Sequence, residues 1–293
     1  MNYRKDMENI INYIEDNIKR KISTDELAAF IGYSPFHFSR IFYAYRGMNV
    51  KEYVRYRRLS LAARAIFDGQ KITDAAFEYG FETLSGFSKA FKRQFGCSPT
   101  AYQGQIIHII DQLPIFSKEE LHKLIRLEEI SSFFVAGYPI GVPSTKDEAA
   151  LWLDADADGE EDQLELIMYE ELNPSKHGEF GMYNPEASSP QYILAVRLED
   201  EKRLRPFMKK VEIKSGLYAV FTTPPAHLTG NANEKFATII RTVWKSIFVN
   251  FFDDASLFEY DLERVDFEYY DERCHSDIDA YMEIWIPVKE RKL

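Results

Sequence analysis

The segment Ile72-Thr-Asp-Ala-Ala-Phe-Glu-Tyr-Gly-Phe-Glu-Thr-Leu-Ser-Gly-Phe-Ser-Lys-Ala-Phe-Lys-Arg-Gln-Phe-Gly-Cys-Ser-Pro-Thr-Ala-Tyr102 holds two short helical patterns separated by a glycine turn. Thr73 and Asp74 are capping residues for a helix that ends at Tyr79-Gly80, and Thr83 or Ser85 caps a second that runs to about Phe95. On that second helix Phe87, Phe91 and Phe95 recur at helical spacing and predict a buried stripe, while Ser85, Ser88, Lys89 and Lys92 project away from it. Gly96 stops the helix, and Ser98-Pro99 opens a further short one containing Tyr102. Helix, glycine-containing turn and helix form a helix-turn-helix unit.

Towards the N-terminus the same pattern occurs again, with 49 positions between Phe38 and Phe87. Ser23-Thr-Asp-Glu26 is a capping box that starts a helix through Phe30, Gly32 stops it, and Ser34-Pro35 starts the next. Phe38, Ile41, Phe42 and Tyr45 share one side of this helix; Phe36, Ser39, Arg40 and Tyr43 share the other, with His37 at the edge. Between the two copies, Asn49 and Glu52 cap a long amphipathic helix from about Val50 to Phe67. An opening helix carries Met7, Ile10, Ile11, Ile14 and Ile18 on one stripe.

The quoted segment is similar to the signature of the AraC/XylS regulators, over about the first 105 residues. The resemblance implies an all-α double helix-turn-helix domain, residues 1–108, that sets two reading helices in successive major grooves of double-stranded DNA. By position it implies DNA contacts from Phe36, His37, Ser39 and Arg40 on the first helix, and from Leu84, Ser85, Gly86, Ser88, Lys89 and Lys92 on the second. Arg40 is the expected base reader, because a guanidinium can bond O6 and N7 of guanine together. Leu84 and Gly86 replace polar residues, so the second helix is expected to make mainly phosphate contacts, with Arg93 assisting. Ser39, Ser85 and Ser88, taken singly, are equally explained as solvated helix positions, and His37 also reads as a surface residue.

Charge separates this part of the 293-residue chain from the remainder. Residues 1–105 hold 16 Lys/Arg against 11 Asp/Glu, whereas the remaining residues bring the net charge of the whole to −11. A basic unit joined to a strongly acidic one suits a nucleic-acid-facing half beside one that is not. No apolar run approaches the length of a membrane span, and the first residues lack a signal-peptide core. With only two cysteines, neither a disulfide framework nor a structural zinc site is expected, and the chain is expected to be cytoplasmic with no membrane partner.

Residues 109–127 read as a polar connector, and residues 128–293 as an α+β domain with an internal repeat. A strand over Ile130–Tyr138, a helix-rich region to about Leu172, and strands at Phe180–Tyr183 and Tyr192–Leu198 make the first unit. A strand over Lys210–Thr222, a helix over Asn233–Asn250, and strands at Phe258–Tyr260 and Asp279–Pro287 make the second. Two β-α-β-β units in tandem predict pseudo-twofold symmetry with a groove between the halves.

This half resembles the GyrI-like small-molecule-binding domain, on Phe133–Gly137, Gly181–Tyr183, Gly216–Phe221 and, most specifically, Asp277–Pro287. With the DNA-binding unit first, the order of domains resembles the right-origin-binding type of regulator. The resemblance implies a transcription regulator of the activating kind that works with RNA polymerase and responds to a small effector. Glu283 lies in an otherwise apolar strand, and alternation puts it on one face with Tyr281 and Trp285. A carboxylate among aromatic rings attracts an organic cation, so an amphipathic or cationic effector is expected there. Tyr138, Trp152, Tyr183, Tyr192, Tyr218 and Trp244 are candidate walls, each with ordinary core packing as the alternative.

Asp154-Ala-Asp-Ala-Asp-Gly159 continues to Glu165 with the spacing of a calcium loop. Glu161 stands where such loops place an apolar residue, and no second loop pairs with it, so the expectation is a solvated acidic loop. The six histidines lack zinc spacing, and neither a nucleophile elbow nor a phosphate loop is present. No metal, cofactor or catalytic residue is therefore expected. Two alternatives remain open: a GyrI-like hydrolase fused to a DNA-binding head, and an architectural DNA-binding protein whose second domain docks a protein.

Overall fold

The computed structural model describes residues 2–102, 114–140, 160–184, 191–226, 232–253, 256–275 and 279–291. The chain forms two compact units, residues 2–113 and 114–293.

The first unit is helical: α1 (Tyr3–Asp16), α2 (Thr24–Phe30), α3 (Pro35–Arg46), α4 (Val50–Phe67), α5 (Ile72–Glu78) and α6 (Leu84–Phe95). Ser23, Ser34, Asn49 and Thr83 each accept a backbone N–H at the start of α2, α3, α4 and α6, satisfying donors the helices leave open. α5 starts without such a cap, at Lys71 rather than at Thr73 or Asp74. α3 and α6 end on Gly47 and Gly96, 49 residues apart, both left-handed at φ 69° and 72°, a conformation that costs glycine nothing. Phe87, Phe91 and Phe95 pack with Leu59, Ala62 and Ala63 of α4 and with Ala75 and Ala76 of α5. Each phenylalanine fully buried there contributes about 1.5–3 kcal/mol. The Arg57 guanidinium grips both oxygens of Glu15, at 2.6 and 2.8 Å, tying α4 to α1.

In the second unit, α7 (Lys118–Leu124), α8 (Glu160–Leu172) and α9 (Ala232–Ser246) accompany strands β1 (Ile125–Ile130), β2 (Phe133–Ile140), β3 (Glu179–Tyr183), β4 (Tyr192–Arg197), β5 (Lys209–Ile213), β6 (Gly216–Thr222), β7 (Phe258–Tyr260), β8 (Phe267–Tyr270) and β9 (Glu283–Glu290). All strand pairs are antiparallel, in the order β1-β6-β9-β8-β3-β4-β2-β5, with β7 added against β9. The order is a palindrome: β2-α8-β3-β4 and β6-α9-β8-β9 are the two repeats, meeting where β3 pairs β8. Each repeat is preceded by a strand that pairs with the other repeat, β1 with β6 and β5 with β2.

Three expectations are corrected here. Residues 114–127 are not connector: Ser117 caps α7 in a capping box, the Phe116 N–H donates to Ser246 Oγ at 2.9 Å, and β1 begins at Ile125. The stretches read as single strands over 130–138 and 210–222 are interrupted, β1 giving way to β2 after Ile130 and β5 to β6 at Gly216. The strand that completes the second repeat is β8, not Phe258–Tyr260, which is a short addition at β9.

One face of the sheet carries a core of Val135, Phe180, Met182, Ile193, Tyr218 and Phe267. On the other face Leu164, Met168 and Leu172 of α8 pack on Ala136, Tyr138, Leu194 and Val196.

Candidate DNA interface and effector groove

On α6 the candidates Leu84, Ser85, Gly86, Lys89 and Lys92 are exposed, Ser88 is half-buried and Arg93 is also exposed. The basic face projected for the second reading helix therefore stands in solvent. The first helix differs. Phe36 and Ser39 are half-buried and Tyr43 is exposed, but His37 and Arg40 are buried. His37 lies between Tyr3 and Tyr33, at ring separations of 5.8 and 5.1 Å, because α1 covers that flank of α3. Burial, and then the neighbouring Arg40 charge, push the His37 imidazole down to about 3. Arg40 has its Nε and Nη1 inside the unit. The exposure expected of both residues is thus corrected to burial; the buried stripe of α3 is wider than Phe38, Ile41 and Phe42 because α1 adds a second packing surface.

In the second unit the nine effector candidates fall into separate places. Glu283 is buried at 3% exposure, and both of its carboxylate oxygens are engaged. Arg126 Nη2 bonds its Oε2 at 3.0 Å, Arg273 Nη2 bonds its Oε1 at 2.9 Å, and the Trp285 indole N–H donates to Oε2 at 3.0 Å. Trp285 stacks on Phe267 at 5.5 Å, and Arg273 lies 5.1 Å from the Tyr281 ring. A carboxylate held by two guanidinium groups has little attraction left for an external cation, so the central role expected of Glu283 is not supported by its surroundings. Tyr218 is core, donating to the carbonyls of Val265 and Lys214 at 3.3 and 3.4 Å. Tyr138 is buried under α8 and donates to Glu171 at 2.9 Å. Trp152 lies outside the described residues, as does Asp154–Gly159 of the acidic loop.

Tyr183, Tyr192 and Trp244 do come together, around a carboxylate the sequence reading passed over. Glu268 of β8 accepts from Trp244 Nε1 at 2.6 Å, from the Tyr192 hydroxyl at 2.5 Å and from the Tyr270 hydroxyl at 2.7 Å. Tyr183 meets Tyr192 edge-on at 5.4 Å. Burial, with the Glu268 charge beside them, holds the hydroxyls of Tyr192 and Tyr270 protonated far above the usual phenol range. Gly181 stands opposite Glu268 across β3 and β8, and a methyl there would overlap the Tyr192 hydroxyl. The absence of a side chain at Gly181 is thus what lets Tyr192 reach across β3. Among the described residues the hydrogen-bond partners of Glu268 are three neutral donors. Glu268 lies at the pseudo-twofold junction, on the sheet face that α8 and α9 cover.

Comparison with known proteins gives two families. Residues 27–105 match a helix-turn-helix domain, and residues 126–288 match the integron-associated effector binding protein family. Among curated relatives, the uncharacterized HTH-type transcriptional regulator YbfP of Bacillus subtilis is 38% identical over 104 residues, 35% of each chain. The HTH-type transcriptional activator AarP of Providencia stuartii is 35% identical over 95 residues, 32% of this chain and 70% of its own length. The right origin-binding protein of Escherichia coli is 35% identical over 95 residues, 32% of this chain and 33% of its own length. The similarity thus spans about a third of the length of the first and third of these relatives.

Proposed function

Because the chain belongs to the integron-associated effector binding family and carries an AraC-type helix-turn-helix domain ahead of that region, we propose that it is a transcription regulator whose DNA binding or activity answers to a small molecule. The observation that carries the DNA half is the duplicated helix-turn-helix, whose second helices α3 and α6 each start on a hydroxyl cap and end on a left-handed glycine, 49 residues apart. α6, with Leu84, Ser85, Gly86, Ser88, Lys89 and Lys92 on its open side, is the principal reading helix, and Phe36, Ser39 and Tyr43 are what α3 offers. We propose that the regulator activates, as a relative named as a transcriptional activator suggests, and that it does so through RNA polymerase. Among the described residues no helix is long and apolar enough to cross a membrane.

The effector half rests on Glu268. A carboxylate whose partners are an indole and two phenols, with a third tyrosine alongside, is the arrangement that attracts an amphipathic organic cation. Calorimetric titration of the full chain with a lipophilic quaternary ammonium and with its neutral isostere tests this. Glu268→Gln should weaken the cation by about tenfold or more, about 1.4 kcal/mol, and leave the neutral compound unchanged. Equal binding of the cation to both proteins would remove Glu268 from the site.

A further inference from the structure

Next to β3 three further side chains converge that neither the DNA unit nor the effector groove uses. His177 Nε2 lies 3.5 Å from Glu179 Oε1 and 3.9 Å from Glu165 Oε1, and one ligand atom from each residue falls within 4.8 Å of the others. They come from two elements, Glu165 from the second turn of α8 and Glu179 from the first position of β3, with His177 just before it. Glu179 is the buried member, its side chain 4% exposed, whereas His177 and Glu165 are one-third and one-quarter exposed. A ligand could therefore enter from the solvent side and meet a carboxylate fixed at the back.

The imidazole is held in place from outside the triad. Tyr169 of α8 stacks on His177 nearly parallel, at 5.1 Å and 5°. The Tyr169 hydroxyl also donates to Glu179 and accepts the Gly178 N–H at 2.7 Å. One aromatic side chain thus orients two of the three candidate ligands, the kind of support that outer residues give a metal site. Asp271 lies close enough to His177 to interact with it electrostatically, adding a further negative charge nearby.

We propose that Glu165, His177 and Glu179 bind one divalent cation of borderline softness, of the zinc type. Two carboxylates and one imidazole form a three-ligand set that leaves a coordination position for water or a further ligand. Ligand atoms at 3.5–4.8 Å need only a small closure to surround an ion at the usual 2.0–2.2 Å. A hard ion such as calcium takes six to eight oxygen ligands, a shell that three side chains including an imidazole do not provide. The proposal is independent of the effector reading. A spacing search for zinc motifs misses it because the set has a single histidine and its two carboxylates lie on different elements.

The test is competition of the full chain, stripped with a chelator, against a chromophoric zinc indicator, together with the visible spectrum of the cobalt-loaded protein. One equivalent of zinc should bind, unaffected by millimolar calcium or magnesium. His177→Gln and Glu165→Gln, both at partly exposed positions, should each weaken it more than about tenfold, the loss that outer-sphere partners alone can cause, and His177→Gln should alter the cobalt bands. Thermal unfolding without metal identifies variants that misfold. Stoichiometric binding that survives both substitutions, or that disappears on alkylation of the free Cys97 and Cys274, would overturn the assignment, as would no binding at all; the latter would leave the triad as a histidine–carboxylate ion pair.

Discussion

The indole N–H of Trp244 on α9 donates to Glu268 Oε1 on β8 at 2.6 Å. That contact joins a helix of the second repeat to the strand at the centre of the sheet. With Tyr192 of the first repeat on the other oxygen, both halves of the pseudo-twofold domain converge on one carboxylate. A ligand that displaced either donor would alter how the two repeats meet, which gives an effector a physical route to a response.

Gly181→Ala tests how far this arrangement depends on backbone space. The added methyl overlaps the Tyr192 hydroxyl, so the ring must swing away and Glu268 loses one of its three donors. We expect destabilisation of about 1–3 kcal/mol from the disturbed buried polar contact, and a cation affinity shifted from wild type. Urea unfolding and calorimetry read the two effects; wild-type values in both would mean that Tyr192 is held by something other than the gap at Gly181.

Glu283→Gln should behave as a structural change. It leaves Arg126 and Arg273 without their shared anion, but these guanidinium groups are 39% and 35% exposed, so water recovers part of the loss. About 1–3 kcal/mol of stability should disappear, while the selectivity between a quaternary ammonium and its neutral isostere stays as in wild type. Loss of that selectivity would return Glu283 to the effector site.

His37 gives the DNA unit a defined acid response. Its folded imidazole titrates at about 3 and the unfolded one at 6.5. Between those values the unfolded chain binds a proton that the folded one refuses, so stability falls as pH drops from about 6.5 towards 3, at up to about 1.4 kcal/mol per pH unit. Above 6.5 this contribution is constant. Urea midpoints of wild type and His37→Phe across pH 7 to 4 should diverge in slope; parallel curves would show that His37 is protonated inside the fold.

The helices of the first unit were legible because their determinants are local: caps, glycines and a phenylalanine period all lie within a few residues of one another. The tandem repeat of the second unit was legible for the same reason. What escaped was set by distant pairing. Glu268 is a functional candidate only because Tyr192, 76 residues earlier, and Trp244, 24 residues earlier, reach it. Glu283 lost that role because Arg126 lies 157 residues away in sequence, and Tyr3 of the opening helix turned His37 inward. β8 escaped because it opens with the same Phe-Glu-Tyr triplet as Phe258–Tyr260, and only its pairing with β3 as well as β9 gives it the place in the repeat.

Lys89 and Lys92 on the exposed face of α6 should act as phosphate contacts. Replacing either with alanine should weaken binding to all sequences alike and lower the salt slope of binding by about one. A change in the preferred sequence instead would assign that lysine to a base edge.

The most direct test of the regulator reading is selection of genomic DNA fragments by the full chain, followed by titration of the winning site at low and physiological salt. The account predicts a consensus of two short elements about one helical turn apart, bound at physiological salt. Fragments without a common sequence, released as salt rises to that level, would contradict it.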